Sequence, residues 1–289
     1  MDYVTPNDLV AEVLKVAKKK AGLSIGDMLV RGILAGVFLS YATSLAMVIL
    51  SQGLPPIVAA ALFPAGFVML VLLGLELATG NFALLPPGLL AGELRLGGLL
   101  RNWVWVYLGN LIGCVFYALL FYLAVTNCGT SNGGPLGDQL RQMAQKKTLA
   151  YMAMGTSGWA TALVKGILCN WMVTVGAVLA LASRSTVGKV VAMWLPIMTF
   201  FAHGYEHSIV NMYVIPAGML LGAPVSVSKW WLWNQIPVTI GNILSGALFT
   251  GLALYATYRL KPAPAQKEAV DKQQESQAAF AQSAGMSTL

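Results

Sequence analysis

PIMTFFAHGYEHSIVNMYVIP, residues 196–216, is the stretch whose reading decides the fold. It holds both histidines of the chain, with Glu206, Asn211 and a proline at each end, inside a long apolar region. Ionisable groups at membrane depth are costly and mark functional sites. Here they gather around Gly204, where a helix can break. A broken helix inside a bilayer is tolerated where it lines a cavity or is buried in protein. In transporters, such discontinuous helices build substrate sites near the midplane. Residues 196–216 are therefore the expected functional centre.

The rest of the chain fits a membrane setting. Of its 289 residues 57% are hydrophobic and only 10% charged, where a soluble domain carries about 25% charged residues. The mean hydropathy of +0.70 points the same way. This is the composition of an all-α integral membrane protein. The net charge of +7 reads as basic loops that set orientation, with no nucleic acid as partner. Cys114, Cys128 and Cys169 are odd in number, and two lie in apolar runs, so no disulfide framework or metal cluster is expected. Lys18, Lys19 and Lys20 precede an apolar run long enough to span, which argues against a cleaved signal.

Residues 6–21 read as a short amphipathic helix lying on the membrane surface, within an N-terminal segment 1–27. Six spans follow, at about 28–50, 55–79, 101–125, 160–182, 190–220 and 235–258, each near the ~20 residues a crossing needs. Together they make a channel domain, 28–260. Phe82 to Leu90 continue the second span as an apolar piece holding Pro86 and Pro87. The remainder, 261–289, is polar and rich in Gln and Ala and is expected to be a disordered cytoplasmic tail. With six spans both termini share a side. Thirteen of the 18 Lys and Arg fall on that side and five on the other. Both termini are therefore expected in the cytoplasm, with the long loop 126–159 outside.

The two halves echo each other. Gly32-Ile33-Leu34 in span one recurs as Gly166-Ile167-Leu168 in span four, and Gly109-Asn110 in span three as Gly241-Asn242 in span six. Gly32 and Gly109 lie 77 residues apart in the first half, and Gly166 and Gly241 lie 75 apart in the second. Each half has a middle span with an interior acid, Glu76 in GLELATGN and Glu206 in HGYEHSIVN. Small-residue motifs recur by chance in membrane helices. Two matched pairs around two interrupted spans favour an inverted repeat, with broken spans two and five meeting at a pore.

In the first break Thr79 and Asn81 are neutral donors, and Gly80 is expected to permit the turn. In the second, His207 either donates a hydrogen bond or a proton to an anion, or is a satisfied bundle residue. His203, Glu206 and His207 also fit the H-x-x-E-H string of a zinc protease, but a glycine interrupts the helix and no third histidine exists. Phe63, Phe67, Phe200 and Phe201 are core aromatics or dewetting gates. Lys165 is a snorkelling end residue or an attractor of anions, and Asn170 is a buried amide needing a partner.

KGILCNWMV (165–173), GYEHSIVNM (204–212), IPVTIGNILSG (236–246), RNWVWVYLGNLIG (101–113) and GILAGVF (32–38) resemble the formate/nitrite transporter family over most of the chain. The resemblance implies a homopentamer of six-span, aquaporin-like protomers, each with its own pore for small monovalent anions. It places the family's central histidine on His207, its acid on Glu206, its threonine on Thr79 and its span-four asparagine on Asn170. Phe63 and Phe200 take the outer constriction, and Phe67, Leu77 and Ala78, with Val173 nearby, the inner one. Lys165 matches a vestibule lysine. Ala78 stands where several formate channels have Phe, which implies a wider inner constriction. Tyr205 and the KGILCNW string lean toward the nitrite branch.

The expected protein is a proton-coupled transporter or channel in a bacterial inner membrane, not an enzyme, with no cofactor. Its partners are nitrite first and formate second, protons, the lipid bilayer and its own copies. Broader transport of acetate, lactate or hydrosulfide is the alternative. A neutral-solute facilitator and a zinc enzyme are the distant ones.

Overall fold

Ser24 ends its loop by accepting the Asp27 backbone N–H, and from there a largely apolar run forms a 27-residue helix. The computed structural model describes residues 2–258, and within them the chain is helical. The proposed tail, 261–289, lies outside the described residues. Helix α1 (Pro6–Ala21), capped by Thr5 and opened by Pro6, buries Leu9, Val10, Val13, Leu14 and Ala17. It precedes α2 (Ile25–Ser51). Then come α3 (Pro56–Leu62), α4 (Pro64–Leu72), α5 (Ala78–Leu84), α6 (Pro86–Leu90) and α7 (Leu96–Val125). The second half holds α8 (Gly134–Ala153), α9 (Thr156–Leu179), α10 (Thr186–Ala202) and α11 (Ser208–Leu220). It closes with α12 (Val227–Trp230), α13 (Ile236–Leu244) and α14 (Ala253–Tyr258), joined by π-helical turns at Trp231–Gln235 and Ser245–Leu252.

Four helices among the described residues are long and apolar enough to cross a membrane: Ile25–Ser51, Leu96–Val125, Thr156–Leu179 and the joined run Val227–Tyr258. The last begins eight residues before the expected start at 235. Pro56–Leu72, Thr186–Ala202 and Ser208–Leu220 are apolar but shorter.

Two sequence expectations change here. The stretch 126–159 is not a long loop, because Gly134–Ala153 is a 20-residue helix. Gly137, Leu140, Ala144, Thr148 and Tyr151 recur at three- and four-residue spacing and are buried. That face is too polar in places to stand out by hydropathy. The turn before α5 is not made by Gly80, which lies inside that helix. Gly74 makes it, with φ +65°, and Gly204 does the same before α11, again with φ +65°.

The glycines that marked the repeat are crossing points. A Cβ at Gly109 would lie 2.9 Å from the Leu29 carbonyl oxygen, and one at Gly241 2.3 Å from that of Leu163. These contacts let α2 pack closely on α7 and α13 on α9, the two most extensive helix pairs. At Gly113 a Cβ would lie 2.1 Å from the Ile33 carbonyl oxygen. Gly113→Val should therefore lower stability by about 1–3 kcal/mol or more, since backbone cannot yield as a side chain can. Thermal unfolding in detergent reads this out. Gly97→Val, in open space, serves as the control.

Candidate functional site: a polar centre between two basic cavities

Each interruption ends in an extended residue that starts a new helix. Leu77 has φ −113° and ψ 119° before α5, and His207 has φ −109° and ψ 119° before α11. An asparagine from a long helix holds each corner. Asn110 on α7 donates to the Gly32 and Glu76 carbonyls at 2.8 and 2.9 Å and accepts the Ala78 N–H at 2.9 Å. Asn242 on α13 donates to the Gly166 and Glu206 carbonyls at 2.8 and 3.1 Å and accepts the Ser208 N–H at 2.9 Å. Backbone groups freed by each break are thereby satisfied, as an apolar interior requires.

The two acids are buried in matching cages. Lys20 at the end of α1 reaches Glu76 at 2.8 Å, and Lys147 on α8 reaches Glu206 at 2.8 Å. Asn81 donates to Glu76 at 2.7 Å and Asn211 to Glu206 at 2.8 Å. Asn102 and Asn234 accept from those asparagines and donate to the Lys20 and Lys147 carbonyls. Glu206 also takes the Tyr151 hydroxyl at 2.8 Å. Its oxygens are thus fully engaged, and it acts on the site by holding the turn.

His207 sits where the breaks meet. The Val210 backbone N–H donates to Nδ1 at 3.2 Å, so the neutral ring carries its proton on Nε2. Nε2 faces the Thr79 hydroxyl oxygen at 3.0 Å, across 128 residues of sequence. That bond leaves the Thr79 hydroxyl hydrogen free to point elsewhere. The Phe200 ring stacks on the imidazole at 5.7 Å between centroids. Phe63 meets Phe200 edge-on at 5.7 Å and stacks on Phe201 at 4.1 Å.

A cavity lies on either side. One, of about 620 Å³, is bordered by Lys146, Lys147, Lys165, Glu206, Phe200 and His207. The other, of about 210 Å³, is bordered by Lys19, Lys20, Arg31, Glu76, Phe67 and Leu77. Each presents three cations against one carboxylate. Phe63, Ala78, Thr79, Asn170 and Val173 are buried and border neither cavity, so the passage between them is closed.

The expected site residues thus fall into three groups. His207 and Thr79 touch. Phe63 and Phe200 lie on one side of them, with Phe67, Leu77 and Ala78 on the way to the other. Asn170 is not a free donor: its amide is spent on the Thr79 and Asn242 carbonyls at 3.1 and 2.7 Å, so it clamps the corner. His203 and His207 do not share a helix face, because the helix stops at Ala202 and restarts at Ser208. His203 is exposed and uses Nδ1 on the Thr199 carbonyl. Sequence reasoning missed Lys20, Lys147, Tyr151 and Asn234. The paired basic residues Lys19-Lys20 and Lys146-Lys147, each in a polar stretch before a span, were the available signal.

Residues 7–256 match the family model for formate/nitrite transporters. The chain belongs to the formate/nitrite transporter family. It is therefore an integral membrane protein of a transporter family. Its relatives within the formate/nitrite transporter family include the probable formate transporter of Methanothermobacter thermautotrophicus, 35% identical over 271 residues that cover 89% of this chain and 97% of that one. The formate channel BtFdhC of Bacillus thuringiensis is 32% identical, over 90% of this chain and 97% of that one. Among solved structures, an FNT family ion channel matches with a TM-score of 0.76 and 28% identity, covering 88% of this chain and 99% of that one. A pentameric formate channel with formate bound matches with a TM-score of 0.66 and 26% identity, covering 86% and 99%.

Proposed function

We propose that this chain conducts small monovalent anions of the formate and nitrite class, with proton coupling, through a pore in each protomer of a homopentamer. Six spans build the protomer as an aquaporin-like inverted repeat. The second and fifth are each broken, at Leu73–Leu77 and at His203–His207. The N-terminal segment 1–27 and the tail 261–289 flank the channel domain 28–260. Both termini face the cytoplasm of a bacterial inner membrane, as the distribution of basic residues supports. The Lys165 cavity then opens outside and the Arg31 cavity inside.

The contact between His207 and Thr79 carries this reading. A pair of polar side chains in a closed, largely apolar passage, between two cavities of net positive charge, suits an anion that arrives charged and must lose its water. Cationic mouths raise local anion concentration. Beyond them an unpaired charge is expensive, so the anion crosses as its neutral acid or on hydrogen bonds from the lining. Thr79, with its hydrogen free, is the donor to the anion, and His207 orients it. Because Nδ1 already accepts the Val210 N–H, His207 acts as a neutral donor, and the coupled proton comes from the cavity. Formate leads nitrite as substrate, since the relatives' names say formate; the Tyr205 and KGILCNW features still favour nitrite.

The test is uptake into proteoliposomes of formate, nitrite, acetate and lactate, each across a pH series. Formate and nitrite should enter faster as outside pH falls, and lactate slowly. Lactate entering as fast as formate would mean that Ala78 has widened the inner constriction and that the substrate class is broader. Uptake of neutral solutes with no anion flux would overturn the reading.

A further inference from the structure

The two halves hold their acids with corresponding lysines and asparagines, and the second adds a partner the first lacks. Lys20 corresponds to Lys147, Glu76 to Glu206, Asn81 to Asn211 and Arg31 to Lys165. Four residues after Lys20, the step that separates Tyr151 from Lys147, stands Ser24, whose hydroxyl is used at the α2 N-cap, 3.0 Å from the Asp27 backbone nitrogen and 2.8 Å from its carboxylate. Only the second half has a phenol on its buried acid. The Tyr151 hydroxyl donates to Glu206 Oε1 at 2.8 Å, while Lys147, Asn211 and Asn234 share Oε2. The same ring lies beneath the ammonium of Lys165, 5.8 Å from its centroid. Tyr151, Lys165 and Glu206 border one cavity, and the Glu206 N–H donates to the Lys165 carbonyl, so the two side chains start from neighbouring backbone.

We infer that Tyr151 is a positioning residue that keeps Lys165 unpaired and available to incoming anions. It does so in two ways. Its hydroxyl fills the carboxylate oxygen that would otherwise attract the lysine, and its ring face offers the ammonium a neutral seat. Without the hydroxyl, Oε1 has no partner among the described residues and stands in the same cavity as a mobile cation. Lys165 then closes an ion pair, and that mouth loses one of its positive charges. The first-half cavity has no such device, so the effect belongs to one side only. This inference rests on the anion-transport reading.

The experiment uses the full chain in proteoliposomes of one insertion orientation, with formate as probe. Half-saturation and ionic-strength dependence are measured for flux entering from each side. Lys165→Gln should raise half-saturation roughly threefold or more from the Lys165 side and flatten its salt dependence, leaving the other side unchanged. Tyr151→Phe, which removes one oxygen and keeps the ring, should do the same. The double variant should be no worse than either single one. A loss shared equally by both sides, a silent Tyr151→Phe, or additive effects in the double variant would overturn the assignment. A two-sided loss in Lys165→Gln, whatever Tyr151→Phe does, removes the premise and overturns the assignment. A wild type that carries no formate or nitrite would instead defeat the transport reading, and the inference with it.

Discussion

Lys147→Met is expected to destabilise the protein more than any other single change of similar size. Lys147 and Glu206 expose only 13% and 4% of their side chains, so the methionine strands a carboxylate in an apolar interior. Removing one partner of a buried pair costs about 3–5 kcal/mol, because the remaining charge keeps its desolvation penalty without its compensation. At this chain length that corresponds to roughly 6–20 °C in the unfolding midpoint. Asn211, Asn234 and Tyr151 still donate to Glu206 and soften the loss without supplying a charge. Lys147→Met with Glu206→Gln should recover most of the stability, since the glutamine needs no counter-charge. A thermal melt in detergent checks both. A single variant as stable as the wild type, or a double variant no better than the single one, would mean that water reaches Glu206 and that the ion pair does not hold the turn.

The second large effect is expected at His207. His207→Ala removes three things together: the cap on the Val210 N–H, the bond to Thr79 and the ring under Phe200. Losing a hydrogen bond that steadies the donor to an anion costs about 1.5–3 kcal/mol. Anion flux should therefore fall about tenfold to a hundredfold. His207→Asn retains a good N-cap and an amide donor, and should keep measurable flux. Thr79→Val should resemble His207→Ala, and combining the two should add little, because both break one chain of donors. Flux and accompanying proton uptake are read together. If His207→Asn passes anion but takes up no proton, then His207 is the proton source and the neutral-donor assignment is wrong.

The apolar runs, the acid in each middle span and the paired Gly32/Gly109 and Gly166/Gly241 were readable because they obey local rules. A helix in lipid must be apolar, a close crossing needs glycine, and a buried charge is rare enough to notice. What holds each break was not readable. Lys20 and Lys147 look like ordinary solvated charges, since lysine in a polar stretch is mostly exposed. Only packing α1 and α8 beside the breaks turns them into buried counter-ions. Asn170 reads as a buried amide needing a partner, and a sequence cannot say that two carbonyls, from Thr79 and Asn242, converge on it. Gly80 reads as the turn because it stands among polar residues. The chain turns at Gly74 instead, where φ is positive and the mouth is open.

The sequence by itself determined that this is a helical membrane protein built from two related halves around residues 196–216. Hydrophobicity, charge and glycine spacing act over a few turns of helix and need no partner to be read. The tertiary structure alone decided which side chains join the halves at the polar centre. By the repeat, His207 corresponds to Leu77, so neither half contains the site. It forms only when the imidazole of the second half meets the Thr79 hydroxyl of the first. A hydrogen bond is short-ranged and directional, and which hydroxyl lies 3.0 Å from Nε2 is set by the packing of every helix between them.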